Sequence, residues 1–445
     1  MALDYYVSVI KRGLQFVSEG KLKDCFNHAF DMLNVYRNYG KDNELQIQEK
    51  MLKKMLRYAC SHVKHYQEVS KTLNNIEDIK QYPFIDKDMI KSNFDSFVSK
   101  DKDKMIYNIA RTSGSTGSPL EFYNANGLDD FFQYNVWKKH GYEDGDKILS
   151  MMGPAIDEQD VEKGIYWKEI PEYKSSHGQY HLSSLYLTNE NMNVYVDYIL
   201  ALKPDFIRGF PSYIYDVATY ILDNNIDIDF KIKGIELTSE TSYEYQWERI
   251  KKAFKTNNLF FQYGHTETCV FAYSYDDTYK LRVEPLYGYV EVLDEDGNHV
   301  KENETGEVVV TSLHNFIMPF IRYRTGAMAE FGGYDGKYMI LNKVLGRSYD
   351  YLVNEDNTKI NFTAFLGEHH MKAIGRIDKW QFEQFEKGKA VVRVIKTKDY
   401  TDDDENEIKT FFKEKGKVDL SFDYVNEITR TTRGKTKIVI QHIKE

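Results

Sequence analysis

The sequence predicts an α/β protein: a large N-terminal domain built on mostly parallel sheet with a β-rich subdomain, followed by a small α+β C-terminal domain. Three observations carry this. Between residues 147 and 263 short apolar runs alternate with amphipathic segments, the pattern of strands covered by helices on both faces. After Asp276 the texture changes to strands that alternate in and out, with a turn at 295–298. After the GRSYD stretch at 346–350 a compact β/α set follows. The boundaries expected are 1–349 for the large domain and 350–445 for the small one; the large domain divides into a helical lead at 1–100, an α/β core at 101–275 and a β-rich subdomain at 276–345.

Taken in order, Val7, Ile10, Leu14 and Val17 recur at helical spacing, which suits a docked helix or, less simply, a membrane-surface helix. Residues 44–58 continue the helical pattern until Tyr82-Pro83 breaks it. Residues 105–110 read as a strand and 128–137 as a helix. Tyr195, Tyr198, Ile199 and Leu202 share a helical face that Pro204 ends, and 206–209 is a strand. Ser212 is expected to cap the next helix, on which Ile214, Val217 and Ile221 share a face. Strand 232–237, helix 244–254 and strand 259–263 continue the alternation. Residues 283–292 and 306–311 form the antiparallel part, and 389–396, 402–413, 420–424 and 437–442 the C-terminal set. The acidic run at 402–404 reads as a solvated helix start, where the dipole tolerates negative charge.

Composition excludes several classes. A formal net charge of -10 argues against nucleic acid or an anionic membrane as the main partner. No apolar run reaches the length of a bilayer span and no signal segment opens the chain, so stable membrane insertion is not expected. Cys25, Cys60 and Cys269 lie far apart with no metal-ligand spacing, which fits a reducing cytoplasm and no structural zinc. His369-His370 carries little metal signal, because adjacent residues point apart.

The chemistry concentrates at RTSGSTGSPL, residues 111–120. Gly114 and Gly117 let backbone N–H groups approach an anion, and the hydroxyls of Thr112, Ser113, Ser115 and Thr116 add uncharged donors. A Walker loop would carry Lys before Ser or Thr and would open a helix; here Ser118-Pro119 follows, and Leu120 and Phe122 alternate with polar neighbours as in a strand. The expected arrangement is strand, loop, strand. A flexible surface loop would share this composition, so the remaining motifs decide. They follow in fixed order: FQYGHTET at 261–268 ends a strand, YRTG stands at 323–326, Gly346-Arg347 precedes Asp350, and TTRGKTK lies at 431–437.

Five motifs in this order resemble the adenylate-forming superfamily of acyl-CoA synthetases, luciferases and peptide-synthetase adenylation domains. The likeness is to the phenylacetate-CoA ligase, coenzyme F390 synthetase and CapK-like branch, for which YPFIDKDMIKSNF at 82–94 and the RGFPSYIYDVATYI run are also typical. It spans most of the chain and implies an acyl-adenylate synthetase-like fold. It further implies that Thr112, Ser113, Gly114, Ser115, Thr116 and Gly117 cradle the phosphates of ATP, while Tyr263 beside Gly264 stacks on adenine. Thr266 would donate to the α-phosphate, Glu267 would hold Mg²⁺, and Arg347 would contact ribose or phosphate. Lys435 would reach the α-phosphate and the carboxylate under attack. Phe210, Tyr213, His265 and Glu240 would belong to the pocket for the acid, whose aromatic lining favours an aryl or otherwise apolar acid.

One position departs from the pattern. YRTG is normally followed by an Asp that accepts both ribose hydroxyls, and here Ala327 stands there. A charged hydrogen bond contributes about 1.5–3 kcal/mol, so its loss predicts nucleotide affinity lower by roughly ten to a hundredfold. Ser118, where many relatives carry Lys, is a milder departure.

The function implied is ATP- and Mg²⁺-dependent activation of a carboxylic acid, with transfer to a second nucleophile: CoA, or an amine such as an amino sugar in polysaccharide biosynthesis. The alternative is a non-catalytic nucleotide-binding homologue that has lost adenylation at Ala327.

Overall fold

Ile47, Met51, Leu52, Met55, Leu56 and Ala59 recur at three- and four-residue spacing, and the computed structural model folds them as helix α1, Glu44–His62, with that stripe buried. The structure describes residues 34–69, 76–105, 107–112, 120–124, 128–171, 177–276, 279–347, 351–362, 365, 371–429 and 437–443. The N-terminal helix, Cys25, residues 113–119, Asp350, His369-His370 and Lys435 lie outside the described residues.

In chain order the next elements are β1 (Asn108–Arg111), β2 (Glu121–Asn124), α2 (Asp129–Lys139), β3 (Ile148–Met152), β4 (Trp167–Glu169) and β5 (Tyr180–Ser183). Then come α3 (Met192–Leu202), β6 (Phe206–Gly209), α4 (Pro211–Asp223), β7 (Gly234–Thr238), α5 (Glu244–Phe254) and β8 (Leu259–Gly264). The antiparallel part follows as β9 (Phe271–Ser274), β10 (Leu281–Val283), β11 (Gly288–Leu293), β12 (Thr305–Ser312), β13 (Tyr323–Asp335) and β14 (Tyr338–Arg347). The last stretch holds β15 (Tyr351–Val353), β16 (Lys359–Asn361), β17 (Ile377–Glu386), β18 (Lys389–Lys396), α6 (Asp402–Gly416), β19 (Asp419–Tyr424) and β20 (Val439–Gln441).

Contacts divide the chain into two compact units. The first comprises Met1–Asn135, Gln262–Thr325 and Ala329–Lys343, and the second Val136–Phe261, Gly326–Met328 and Val344–Glu445. In the first, β11, β12, β13, β14, β10, β9 and β8 follow one another across a sheet whose β11–β12, β10–β14, β9–β10 and β8–β9 pairs are antiparallel. In the second, β7, β6, β3 and β5 run parallel, with β4 antiparallel at the edge. The parallel strands are buried along almost their whole length and carry both apolar and polar residues. Leu149, Met151, Leu182, Ile207, Ile235 and Leu237 form one core with α3, α4 and α5. A separate core joins Leu352, Phe362, Trp380, Phe382, Val392, Val394, Ile408 and Phe412. There β19, β18, β17 and β20 make a mixed sheet under α6. No described helix is long and apolar enough to cross a membrane.

Two local expectations need correction. Helix α4 starts at Pro211 with Phe210 as its cap, because the preset φ of proline suits the first helical position. Ser212 therefore sits inside the first turn, where its Oγ donates to Glu240 Oε2 at 2.8 Å. In the acidic run, Asp402 and Asp403 are exposed but Asp404 is buried. Its carboxylate accepts from the Thr401 backbone N–H at 2.8 Å, closing a capping box, and pairs with Arg376 at 3.1 Å.

Candidate functional site

The hydroxyl-rich loop is carried by a hairpin. β1 and β2 pair antiparallel from Asn108–Asn124 to Arg111–Glu121, so a strand stands on either side of residues 113–119, as expected. The Arg111 and Glu121 side chains meet at 2.6 Å across the mouth. Above them Thr112 N donates to Leu120 O and Leu120 N to Thr112 Oγ1, both at 2.9 Å. Thr112 thus closes the base of the loop with its own hydroxyl. Asn315, fully buried, donates to Tyr123 O at 2.8 Å and ties the hairpin to the segment before β13.

The second motif ends β8. Tyr263 pairs in register with Ala272 and Gly264 with Phe271, after which His265 O accepts from Thr268 N at 3.0 Å. This turn presents Thr266 to solvent and turns Glu267 inward. Thr268 takes a left-handed φ of 54°, and its Oγ1 donates to Asn124 Oδ1 at 3.2 Å, linking the turn to β2. Gly288 guards the far side: a Cβ there would lie 1.7 Å from Cys269 O, so no side chain fits where β11 passes the turn.

Glu267 is the electrostatic centre. It is 8% exposed, accepts from Tyr323 Oη at 3.0 Å, and its Oε2 lies 3.3 Å from His265 Nδ1. Burial alone would raise its pKa; the charge and contact of His265, a backbone bond and the Tyr323 hydroxyl outweigh burial and hold it down at about 2. The carboxylate is therefore ionised while almost dry. The His265 approach is an ion-pair distance without hydrogen-bond alignment, and neither ring nitrogen has a hydrogen-bond partner among the described residues. Cys269 packs behind the turn with Sγ 3.1 Å from Glu267 O, its thiol pushed up by burial.

Tyr323 opens β13 and is fixed by the segment at 82–94. Ile85 N donates to Arg322 O at 3.2 Å and Arg324 N to Ile85 O at 2.8 Å, a short parallel bridge over Tyr323. Arg322 has a left-handed φ of 50°, pairs with buried Glu291 at 3.2 Å and lies 4.0 Å from the Phe84 ring centre. The first residue of YRTG thus reaches Glu267, a role that sequence reasoning did not assign; its place ahead of RTG was the only signal.

The first unit therefore holds Thr112 on one element and Tyr263, Gly264, His265, Thr266 and Glu267 on another, the two linked through Thr268 and Asn124, and it sets Tyr323 against Glu267. Of the other predicted residues that are described, Phe210, Tyr213, Glu240, Ala327 and Arg347 belong to the second unit. Phe210 and Tyr213 are in its apolar core, at 2% and 1% exposure. Glu240 Oε2 accepts from Ser212 N at 3.3 Å and from its Oγ, at the N-terminus of α4. Ala327 is buried on β13, and Arg347 ends β14. Among the described residues no group of three or more His, Cys, Asp and Glu could hold a metal ion by itself. Glu267 offers a carboxylate oxygen, the ligand type that hard cations take.

With this geometry in hand, comparisons with known proteins place the chain among relatives. The family model of the CapK C-terminal domain matches residues 352–442. Over 423 residues the chain is 26% identical to Protein CapK of Staphylococcus aureus, covering 90% of this chain and 89% of that protein. Among solved structures it is similar to 2-hydroxyisobutyryl-CoA ligase in the postadenylation state with 2-HIB-AMP, with a TM-score of 0.66, 16% identity and 89% of each chain covered. An open conformation of that ligase, with 2-HIB-AMP and CoA, superposes with a TM-score of 0.56 at 15% identity, covering 89% of this chain and 91% of that one.

Proposed function

From a chain that carries a CapK C-terminal domain on the fold of the adenylate-forming ligases, we propose an enzyme that activates a carboxylic acid with ATP and passes the acyl group on. Activation joins the acid's carboxylate to the α-phosphate and releases pyrophosphate; a second nucleophile then displaces AMP. The observation that carries this reading is Glu267, buried yet ionised beside an exposed Thr266.

Glu267 would hold Mg²⁺, which when bound supplies positive charge to the phosphate oxygens. Tyr323 and His265 keep the carboxylate charged and aimed. Thr112 and the residues 113–117 would hold the phosphates, Thr266 the α-phosphate, Tyr263 the adenine and Arg347 the ribose or phosphates. Lys435 would bring a cation to the reacting carboxylate. Phe210, Tyr213, His265 and Glu240 would shape the acid pocket. The division into 1–349 and a mobile 350–445 is part of the same reading, since hinge motion could withdraw Lys435 between the two steps. The acceptor is CoA or an amine such as an amino sugar; with the latter, a cytoplasmic enzyme of polysaccharide biosynthesis would follow.

Ala327 favours a second reading, a nucleotide-binding homologue without turnover, because a buried methyl replaces the carboxylate expected to hold the ribose. Acid-dependent pyrophosphate release with ATP, Mg²⁺ and a carboxylic-acid library separates the two. Turnover lost in Lys435→Ala supports the enzyme. ATP binding without turnover, even in Ala327→Asp, rejects it.

A further inference from the structure

A row of polar side chains crosses the parallel sheet of the second unit. Register pairs Lys168 on β4 with His181 on β5, His181 with Ser150 on β3, Ser150 with Arg208 on β6, and Arg208 with Glu236 on β7. Residues opposite one another on adjacent strands share a face, so these five stand abreast. Strands of a parallel sheet covered on both sides are ordinarily apolar, and their neighbours Leu149, Met151, Leu182, Ile207, Ile235 and Leu237 are. The row breaks that rule while remaining buried: Ser150, His181, Arg208 and Glu236 are exposed by 1, 6, 8 and 0%.

Arg208 is the unusual member. Its side chain is nine-tenths buried, and its Nε lies 3.3 Å from Glu236 Oε2 without forming an aligned hydrogen bond. A guanidinium has five N–H donors, and among the described residues Glu236 is the one charged group within ion-pair distance of this one. Glu236 approaches the guanidinium at its Nε edge, so among the described residues the terminal nitrogens are the atoms placed to meet a further anionic group. His181 is pushed down to about 4, first by burial and further by the charges of Arg208, Lys168 and His177, against a backbone bond to Gly178. Its ring is therefore a neutral hydrogen-bonding group at pH 7. The charges in the row are Lys168 and Arg208 against Glu236, leaving an excess of one positive charge. Arg208 is also the penultimate residue of β6, toward the carboxyl ends of the parallel strands where α/β folds take ligands. At the next position a Cβ on Gly209 would lie 2.2 Å from Met151 O, so glycine lets β6 close on β3 and sets Arg208 against Ser150.

We propose that Arg208, oriented by Glu236 and flanked by Ser150 and His181, binds an oxyanion, the carboxylate or phosphate of a small-molecule substrate. The terminal nitrogens of a guanidinium match two oxygens of such a group in a bidentate pair. This site is additional to the carboxylate that would react, and it would select acids bearing a second anionic group or a phosphorylated acceptor. It concerns binding alone and stands whether or not the protein adenylates anything.

The test is calorimetry on the full chain at pH 7.5 and fixed ionic strength, with succinate, inorganic phosphate and, as a monoanion control, acetate. Arg208→Lys keeps the charge but removes the fork, and the Arg208→Met, Glu236→Met pair removes both charges at similar volume, a change that buried ion pairs often tolerate. Succinate or phosphate is expected to bind the wild type at least tenfold more tightly than either variant, with Mg·ATP affinity equal in all three. Preference for succinate identifies a dicarboxylic acid, and preference for phosphate a phosphorylated substrate. Affinities for both anions within twofold across wild type and variants would overturn the proposal and leave Arg208 and Glu236 as a structural pair. Because Mg·ATP binding and pyrophosphate release are read separately, failure here leaves the adenylation reading untouched, and the reverse holds too.

Discussion

Tyr323 donates to Glu267 across 3.0 Å and joins the start of β13 to the turn after β8. Tyr323→Phe deletes that donor without changing the packing volume. A hydrogen bond to a charged group contributes about 1.5–3 kcal/mol. Affinity for Mg·ATP is expected to fall by about ten to a hundredfold, whereas ATP without metal loses less. Titration calorimetry with and without Mg²⁺ checks the difference, and equal losses in both would detach Tyr323 from metal binding.

The depressed pKa of Glu267 fixes an acid limb of stability. Its folded value of about 2 lies below the ordinary 4.5, so its contribution is full above pH 4.5 and is lost as pH falls from there toward 2. The contribution is at most about 3 kcal/mol. Denaturant titrations between pH 3 and 7 are expected to show a shallower pH dependence for Glu267→Gln than for the wild type.

Asp378 behaves in the opposite sense. Burial, with Asp216 and Asp223 nearby, raises its carboxyl from 3.8 to about 6 against the pull of Lys379 and Arg249. The folded state then binds the extra proton, so the associated stability is present below pH 3.8 and is lost as pH rises through 6. Asp378→Asn is expected to stabilise the protein by about 1–3 kcal/mol at pH 7.5 and by little at pH 4. Paired melting curves at the two pH values read this directly. The nearby Lys379–Asp216 ion pair at 2.7 Å remains in place in that variant.

Thr112 offers a separation of hydroxyl from shape. Thr112→Val removes the acceptor for Leu120 N and is expected to cost about 1 kcal/mol of stability, with weaker ATP binding; Thr112→Ser retains both. An unaltered ATP affinity in the valine variant would count against a phosphate role for this loop.

Local chemistry made much of this protein readable. Helix 244–254 and strand 206–209 fall where their periodicity and flanking breakers put them. Ser212 misled because Pro211 competes for the helix start, and Asp404 because a box with Thr401 and a pair with Arg376 outweigh solvation. The Tyr323 contact to Glu267 spans 56 residues, and the row from Lys168 to Glu236 exists only once strand register is set. Neither distance along the chain nor alternation within a strand encodes such encounters. For the same reason the sequence exposed the candidate nucleotide motifs one by one but not the hydrogen bonds that tension them.

The interleaving of the two compact units has a consequence for synthesis. Residues 136–261 share their unit with 326–328 and 344–445, and the rest of the intervening stretch, roughly 80 residues, belongs to the other. At about 5–20 residues per second a ribosome needs several seconds to cross that stretch. During that interval the parallel sheet is already outside the exit tunnel while its later partner is still being made. A nascent chain stalled near residue 343 would therefore present the flanks of α4 and α5 uncovered, which makes this the window in which a chaperone or a protease has its best opportunity.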